Sequence, residues 1–115
     1  MEHITVNVKS LKESVEFYTN VLGLKIVRDL REGTGRPIVF LADGDSSTKL
    51  ELIENPGQPY SGAGLSIGFH RDDVEATHAE MTAKGLSPSD FVMPSPSTKF
   101  FFISDPNGVR IQIIN

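Results

Sequence analysis

The chain has 115 residues, no cysteine, and a formal net charge of −4 with both signs interspersed. That length supports one domain with a modest core. The missing thiol excludes disulfides, thiolate nucleophiles and cysteine metal sites, and no cluster of Lys and Arg is available to meet nucleic-acid phosphates.

Ile4, Val6 and Val8 alternate with His3, Thr5 and Asn7, the pattern of a strand with one apolar and one polar face. The strand pattern begins within the first few residues, without a basic leader or a long apolar run, so a soluble cytoplasmic protein that spans no membrane is expected. Ser10 and Glu13 then have capping-box spacing. Leu11, Val15, Tyr18 and Leu22 recur at helical intervals until Gly23 offers a C-terminal cap. Residues 24–30 and 37–42 read as the next two strands. Between them lies the loop Arg31-Glu32-Gly33-Thr34-Gly35-Arg36, whose glycines and arginines suggest a phosphate cradle. Such a cradle needs a strand-to-helix context, and this loop joins two strands, so a hairpin loop is the better reading. A turn at Asp43-Gly44-Asp45-Ser46-Ser47 leads into a strand over 49–53, in which Leu50 and Leu52 face the core while Lys49 and Glu51 face away.

The stretch Asn55-Pro56-Gly57-Gln58-Pro59-Tyr60-Ser61-Gly62 has two prolines, two glycines and no periodicity, and reads as a linker. After it the pattern restarts. Leu65, Ile67 and Phe69 alternate with Gly64, Ser66 and Gly68. A helix follows, with Asp72 as its cap, Glu75 three residues on, and Val74, His78 and Met81 on one face; it runs to Gly85. A Pro/Ser-rich strand region over 91–96, a phenylalanine strand over 100–103 and a last strand over 109–114 complete the chain. Asp105-Pro106-Asn107-Gly108 between the last two suits a type I turn with glycine at positive φ. Ile111 and Ile113 then face one side, Arg110 and Gln112 the other.

The two halves repeat one order of elements: twenty positions separate His3 from Gly23, and twenty-one separate Gly64 from Gly85. Each half is a β-α-β-β-β module, residues 1–54 and 64–115 about the linker 55–63, giving an α+β fold. Asp-Pro-Asn-Gly before an apolar-x-apolar strand, closing the second of two such modules, resembles the vicinal oxygen chelate superfamily. That superfamily holds glyoxalase I, bleomycin- and fosfomycin-resistance proteins and extradiol dioxygenases. The resemblance implies that the paired modules form a single domain, a cup-shaped sheet with the helices outside and a ligand in the concave side. Its lining would come from the polar faces: His3, Thr5, Asn7, Lys49, Glu51, Gly64, Ser66, Arg110 and Gln112.

In the family's metalloenzymes four of these strands supply His or Gln, Glu, His and Glu to a metal. Carried over residue by residue, the first position maps to His3, the second to Glu51, the third to Gly64 and the fourth to Gln112. A divalent ion (zinc, nickel, manganese or iron) would thus find His3, Glu51 and the weaker amide oxygen of Gln112. Glu51 is the candidate catalytic residue; Thr5, Asn7, Lys49, Ser66 and Arg110 are candidates for ligand contact. His70 does not replace the missing histidine, because six positions of extended chain from Gly64 are about 20 Å. His78 reads as a core histidine, and His3 with Glu51 reads, apart from the resemblance, as a polar pair at a sheet edge. Lys49 and Arg110 would neutralise Glu51 or meet an anionic ligand. Gly64-Leu65-Ser66-Ile67-Gly68 matches a hydrolase nucleophile elbow, but the alternation continues through Ser66 where a sharp turn is required.

Two function classes follow. One is a metal-independent small-molecule binding or sequestering protein of the bleomycin-resistance kind, favoured by Gly64 and Gln112. The other is a divalent-metal lyase, isomerase, dioxygenase or thiol transferase, favoured by His3 and Glu51. Exposed sheet edges in so small a chain predict a homodimer.

Overall fold

The alternation at the start of the chain becomes β1 (His3–Val8), with Val6 and Val8 buried and His3 and Thr5 exposed. The computed structural model describes residues 1–44 and 48–115, so Asp45, Ser46 and Ser47 of the expected turn lie outside the described residues. The chain divides into two compact units, Met1–Gly62 and Ala63–Asn115.

In the first unit α1 (Leu11–Asn20) begins where Ser10 Oγ accepts from the Glu13 N–H at 3.2 Å. It ends at Gly23, whose φ of 77° lets the Gly23 and Leu24 N–H groups return to the carbonyls of Thr19 and Tyr18. β2 (Lys25–Asp29), β3 (Ile38–Ala42) and β4 (Lys49–Glu54) complete a sheet of order β1-β4-β3-β2. β1 runs parallel to β4 and the remaining pairs are antiparallel. Val6, Val39, Leu41, Leu50 and Leu52 share one face, all buried, and α1 packs across β3 and β4 on its own buried Leu11, Val15 and Tyr18. Each such aliphatic side chain taken from water contributes about 1.5–3 kcal/mol.

β2 carries a bulge between Ile26 and Arg28 that alternation did not predict. The loop after it does join two strands, and one of its two arginines is spoken for: Arg31 Nε and Nη2 donate to the two Asp29 carboxylate oxygens at 3.0 and 2.7 Å. That grip holds the Asp29 carboxyl below its ordinary range and raises Arg31. The segment expected as a linker is tied to this unit. Asn55 N–H donates to Val8 O and Tyr60 N–H to Asn7 O.

The second unit repeats the order with β5 (Ser66–His70), α2 (Val74–Ala83), β6 (Val92–Ser95), β7 (Thr98–Ser104) and β8 (Arg110–Ile114), its sheet ordered β5-β8-β7-β6. β5 and β8 are parallel, β8–β7 and β7–β6 antiparallel. The cap of α2 is Asp73, which accepts from the Ala76 N–H at 2.9 Å, and not Asp72; the neighbouring aspartate instead meets His70 Nε2. Val74 and Met81 are buried, and His78 sits half-buried between Phe91 and Phe101 with Nε2 3.0 Å from Ser89 O, a core histidine. At the β7–β8 turn, Gly108 N–H donates to Asp105 O, and the buried Asp105 Oδ1 accepts from Asn107 N–H and Val109 N–H at 2.7 and 2.8 Å. Ile111 and Ile113 are fully buried, as the alternation requires. Among the described residues no helix is long and apolar enough to cross a membrane.

Candidate ligand-binding faces

Each sheet turns one face to its helix and presents polar and aromatic side chains on the other. In the first unit the cross-strand register places Thr5, Glu51, Phe40 and Arg28 side by side on that second face, with His3 beside Lys49 one row away. Glu51 is the centre of the row. Its side chain is 13% exposed, Oε1 accepts from Thr5 Oγ1 at 2.5 Å, and His3 Nε2 lies 3.5 Å from the same oxygen. The His3 ring also meets Phe40 edge-on, with centroids 5.7 Å apart. An aromatic edge, a hydroxyl and a carboxylate thus orient one another.

Lys49 shares this face, but its ammonium reaches outward to Glu2 Oε1 at 3.1 Å and holds that carboxyl below its usual range. Within its unit Glu51 is held by Thr5 and His3. Asn7 is half-buried on the same face, one step beyond Thr5.

In the second unit the corresponding row is Gly68, Gln112 and Phe102, and the row before it is Ser66, Arg110 and Ser104. Gln112 stands level with Gly68 as Glu51 stands level with Thr5, so Ser66 occupies in β5 the place that His3 occupies in β1. This corrects the placement of the third family position on Gly64. Gly64 precedes β5 with a φ of 90° and belongs to no strand. Ser66 itself opens a continuous strand, which also excludes a nucleophile elbow there. Arg110 stacks on Phe102 with its guanidinium carbon 3.7 Å from the ring centroid, and Phe100 meets Phe102 edge-on at 5.5 Å. A Cβ at Gly68 would come within 3.4 Å of Gln112 Oε1.

Phe40, Phe100, Phe102 and Gly68 were missed as face residues. The signal was available, since Phe100 and Phe102 alternate with the buried Phe101 and Ile103.

Neither unit by itself gathers the donor set of a tightly held divalent ion. Such a site takes three or four imidazole, carboxylate or thiolate donors, and among the described residues no three His, Asp or Glu side chains are gathered to hold one. His3 and Glu51 form one pair, while their counterparts Ser66 and Gln112 offer a hydroxyl and an amide.

Known proteins match the chain over nearly its whole length. A lactoylglutathione lyase of Haemophilus influenzae is 30% identical over 120 residues, which covers 97% of this chain and 89% of that protein. Among solved structures, a glyoxalase family protein of Enterococcus faecalis matches with a TM-score of 0.78 at 21% identity, over 100% of this chain and 96% of that one. The antibiotic binding protein TnmS3 of Streptomyces sp. CB03234 matches at 0.76 and 23%, over 98% and 92%. Residues 1–113 match the Glyoxalase/Bleomycin resistance protein/Dioxygenase superfamily. Two β-α-β-β-β units, a match that spans both of them, and a relative of equal extent lead to one conclusion: the chain belongs to that superfamily.

Proposed function

We propose that this protein binds a small organic molecule on the polar, aromatic-bearing side of its sheets, without a tightly held metal, and sequesters it. The observation that carries this reading is the register: where the first unit has His3 and Glu51, the second has Ser66 and Gln112. Thr5 and Asn7 then act as polar contacts beside the aromatic Phe40 in the first unit, and Ser66, Arg110 and Gln112 beside Phe100 and Phe102 in the second, each the mixture typical of small-molecule sites. The antibiotic-binding relative of the same fold is in keeping with it. The protein acts in this reading as a homodimer.

A second reading is favoured by the His3–Glu51 pair and by the sequence relatives named lactoylglutathione lyase. It makes the chain a divalent-metal lyase, with Glu51 as its acid–base residue. Metal analysis of the purified protein, calorimetric titration with nickel, zinc and manganese, and a lactoylglutathione lyase assay in each metal separate the two. The binding reading expects no stoichiometric metal, weak titrations and no turnover. Turnover that depends on added metal and disappears in Glu51→Gln would overturn it.

A further inference from the structure

Arg110 is a cation on the polar face of the second unit. Lys49 has Glu2, but among the described residues Arg110 has neither an ion-pair partner nor a hydrogen-bond acceptor; its row neighbours are the uncharged Ser66 and Ser104. What it has is a ring. With its carbon 3.7 Å from the Phe102 centroid, the planar guanidinium lies against the aromatic face and is held there by cation–π attraction. Stacking uses the face of the group and leaves its edge, with N–H donors in a fixed fork, directed at the surroundings. Such an edge matches the two oxygens of a carboxylate.

The surroundings narrow the ligand further. Phe100, edge-on to Phe102, extends the aromatic surface along β7. In the adjoining row the Gln112 amide has no hydrogen-bond partner among the described residues, and the absent side chain at Gly68 keeps the space beside it clear. One fixed cation, two rings and one amide that both donates and accepts suit a single negative charge on a flat, conjugated body. They do not suit a polyphosphate, which needs several cations or a nest of N–H groups. We propose that Arg110, Phe102 and Phe100 form the subsite for the carboxylate end of a planar aromatic ligand, with Gln112 reading a polar substituent. This rests on the reading of the face as ligand-binding and names the class of ligand.

The test uses 2-naphthoate and its uncharged counterpart 2-naphthamide, each titrated by calorimetry and followed by NMR of the Arg110 Nε–H and the Phe ring resonances. The expected result is that 2-naphthoate shifts Arg110 and Phe102 together. Arg110→Gln should bind it at least tenfold more weakly, Arg110→Lys should fall between, and 2-naphthamide should change less than twofold in either variant. Phe102→Leu should weaken both probes. If 2-naphthamide binds at Phe102 as tightly as 2-naphthoate and Arg110→Gln alters neither, the carboxylate assignment is wrong while the binding face stands. If no aromatic probe, charged or neutral, perturbs any residue on either polar face, the binding reading fails as well.

Discussion

Asp105 shows how much a single side chain holds in this fold. It is 5% exposed, and one carboxylate oxygen accepts from two backbone N–H groups of the turn that delivers β8, and thereby Arg110 and Gln112, to the sheet. Truncation takes away the acceptor of both buried donors. Asp105→Ala should therefore cost about 3 kcal/mol, and Asp105→Asn, which keeps an acceptor oxygen, roughly half of that. Urea melts of the two variants measure this directly, and a loss under about 1 kcal/mol in the alanine variant would mean that water replaces the carboxylate. The same turn places Gly108 at a φ of 85°, where a side chain would be strained.

At the level of strands, alternation and register are different kinds of information. Alternation separates Ser66 and Gly68 from the apolar face correctly, because side chains of a strand repeat every two residues, but it carries the strand too far back, to Gly64. It cannot say which of three equivalent positions stands opposite Gln112, since that depends on a strand forty residues away; the pairing puts Gly68 there and Ser66 one row from it. The faces, both helices and the β7–β8 turn were legible for local reasons: caps, periodicity and turn chemistry. The bulge in β2, the choice of Asp73 over Asp72 and the equivalence of Ser66 to His3 were not, because each is decided by a neighbour on another strand or turn. The register makes a measurable difference. Ser66→His with Gln112→Glu gives the second sheet the imidazole–carboxylate pair that the first already has. A group behind a metal ligand is worth about 10–100-fold in affinity, so two ligands gained should tighten nickel or zinc binding by at least roughly 100-fold. Gly64→His with the same Gln112→Glu should gain far less. Equal affinity in the two double variants would show the strand equivalence to be wrong.

For the molecule as a whole, the outer strands matter first. β2 and β6 hold the same place in their sheets, each at an edge, and each exposes an apolar pair, Ile26 with Val27 and Val92 with Met93. Unpaired edges of this kind pair readily with another chain. Light scattering at micromolar concentration should give twice the chain mass, and Val27→Lys with Met93→Lys should lower it; a monomer at all concentrations counts against assembly through these strands. The parallel pairing of β1 with β4 governs the order of events in folding. Thr5 and Glu51 are 46 residues apart, so their contact closes a long loop, whereas β2 with β3 and β7 with β8 meet across short turns. Loop closure therefore predicts that the hairpins form first and that β1 docks last in its sheet. Thr5→Val, which takes the hydroxyl from Glu51, should accordingly speed unfolding and leave the folding arm of the chevron unmoved, a φ-value near zero. On that order the first sheet is completed and the His3–Thr5–Glu51 cluster assembled in one and the same kinetic step, so that a transient opening of β1 would dismantle the cluster while the hairpins persist.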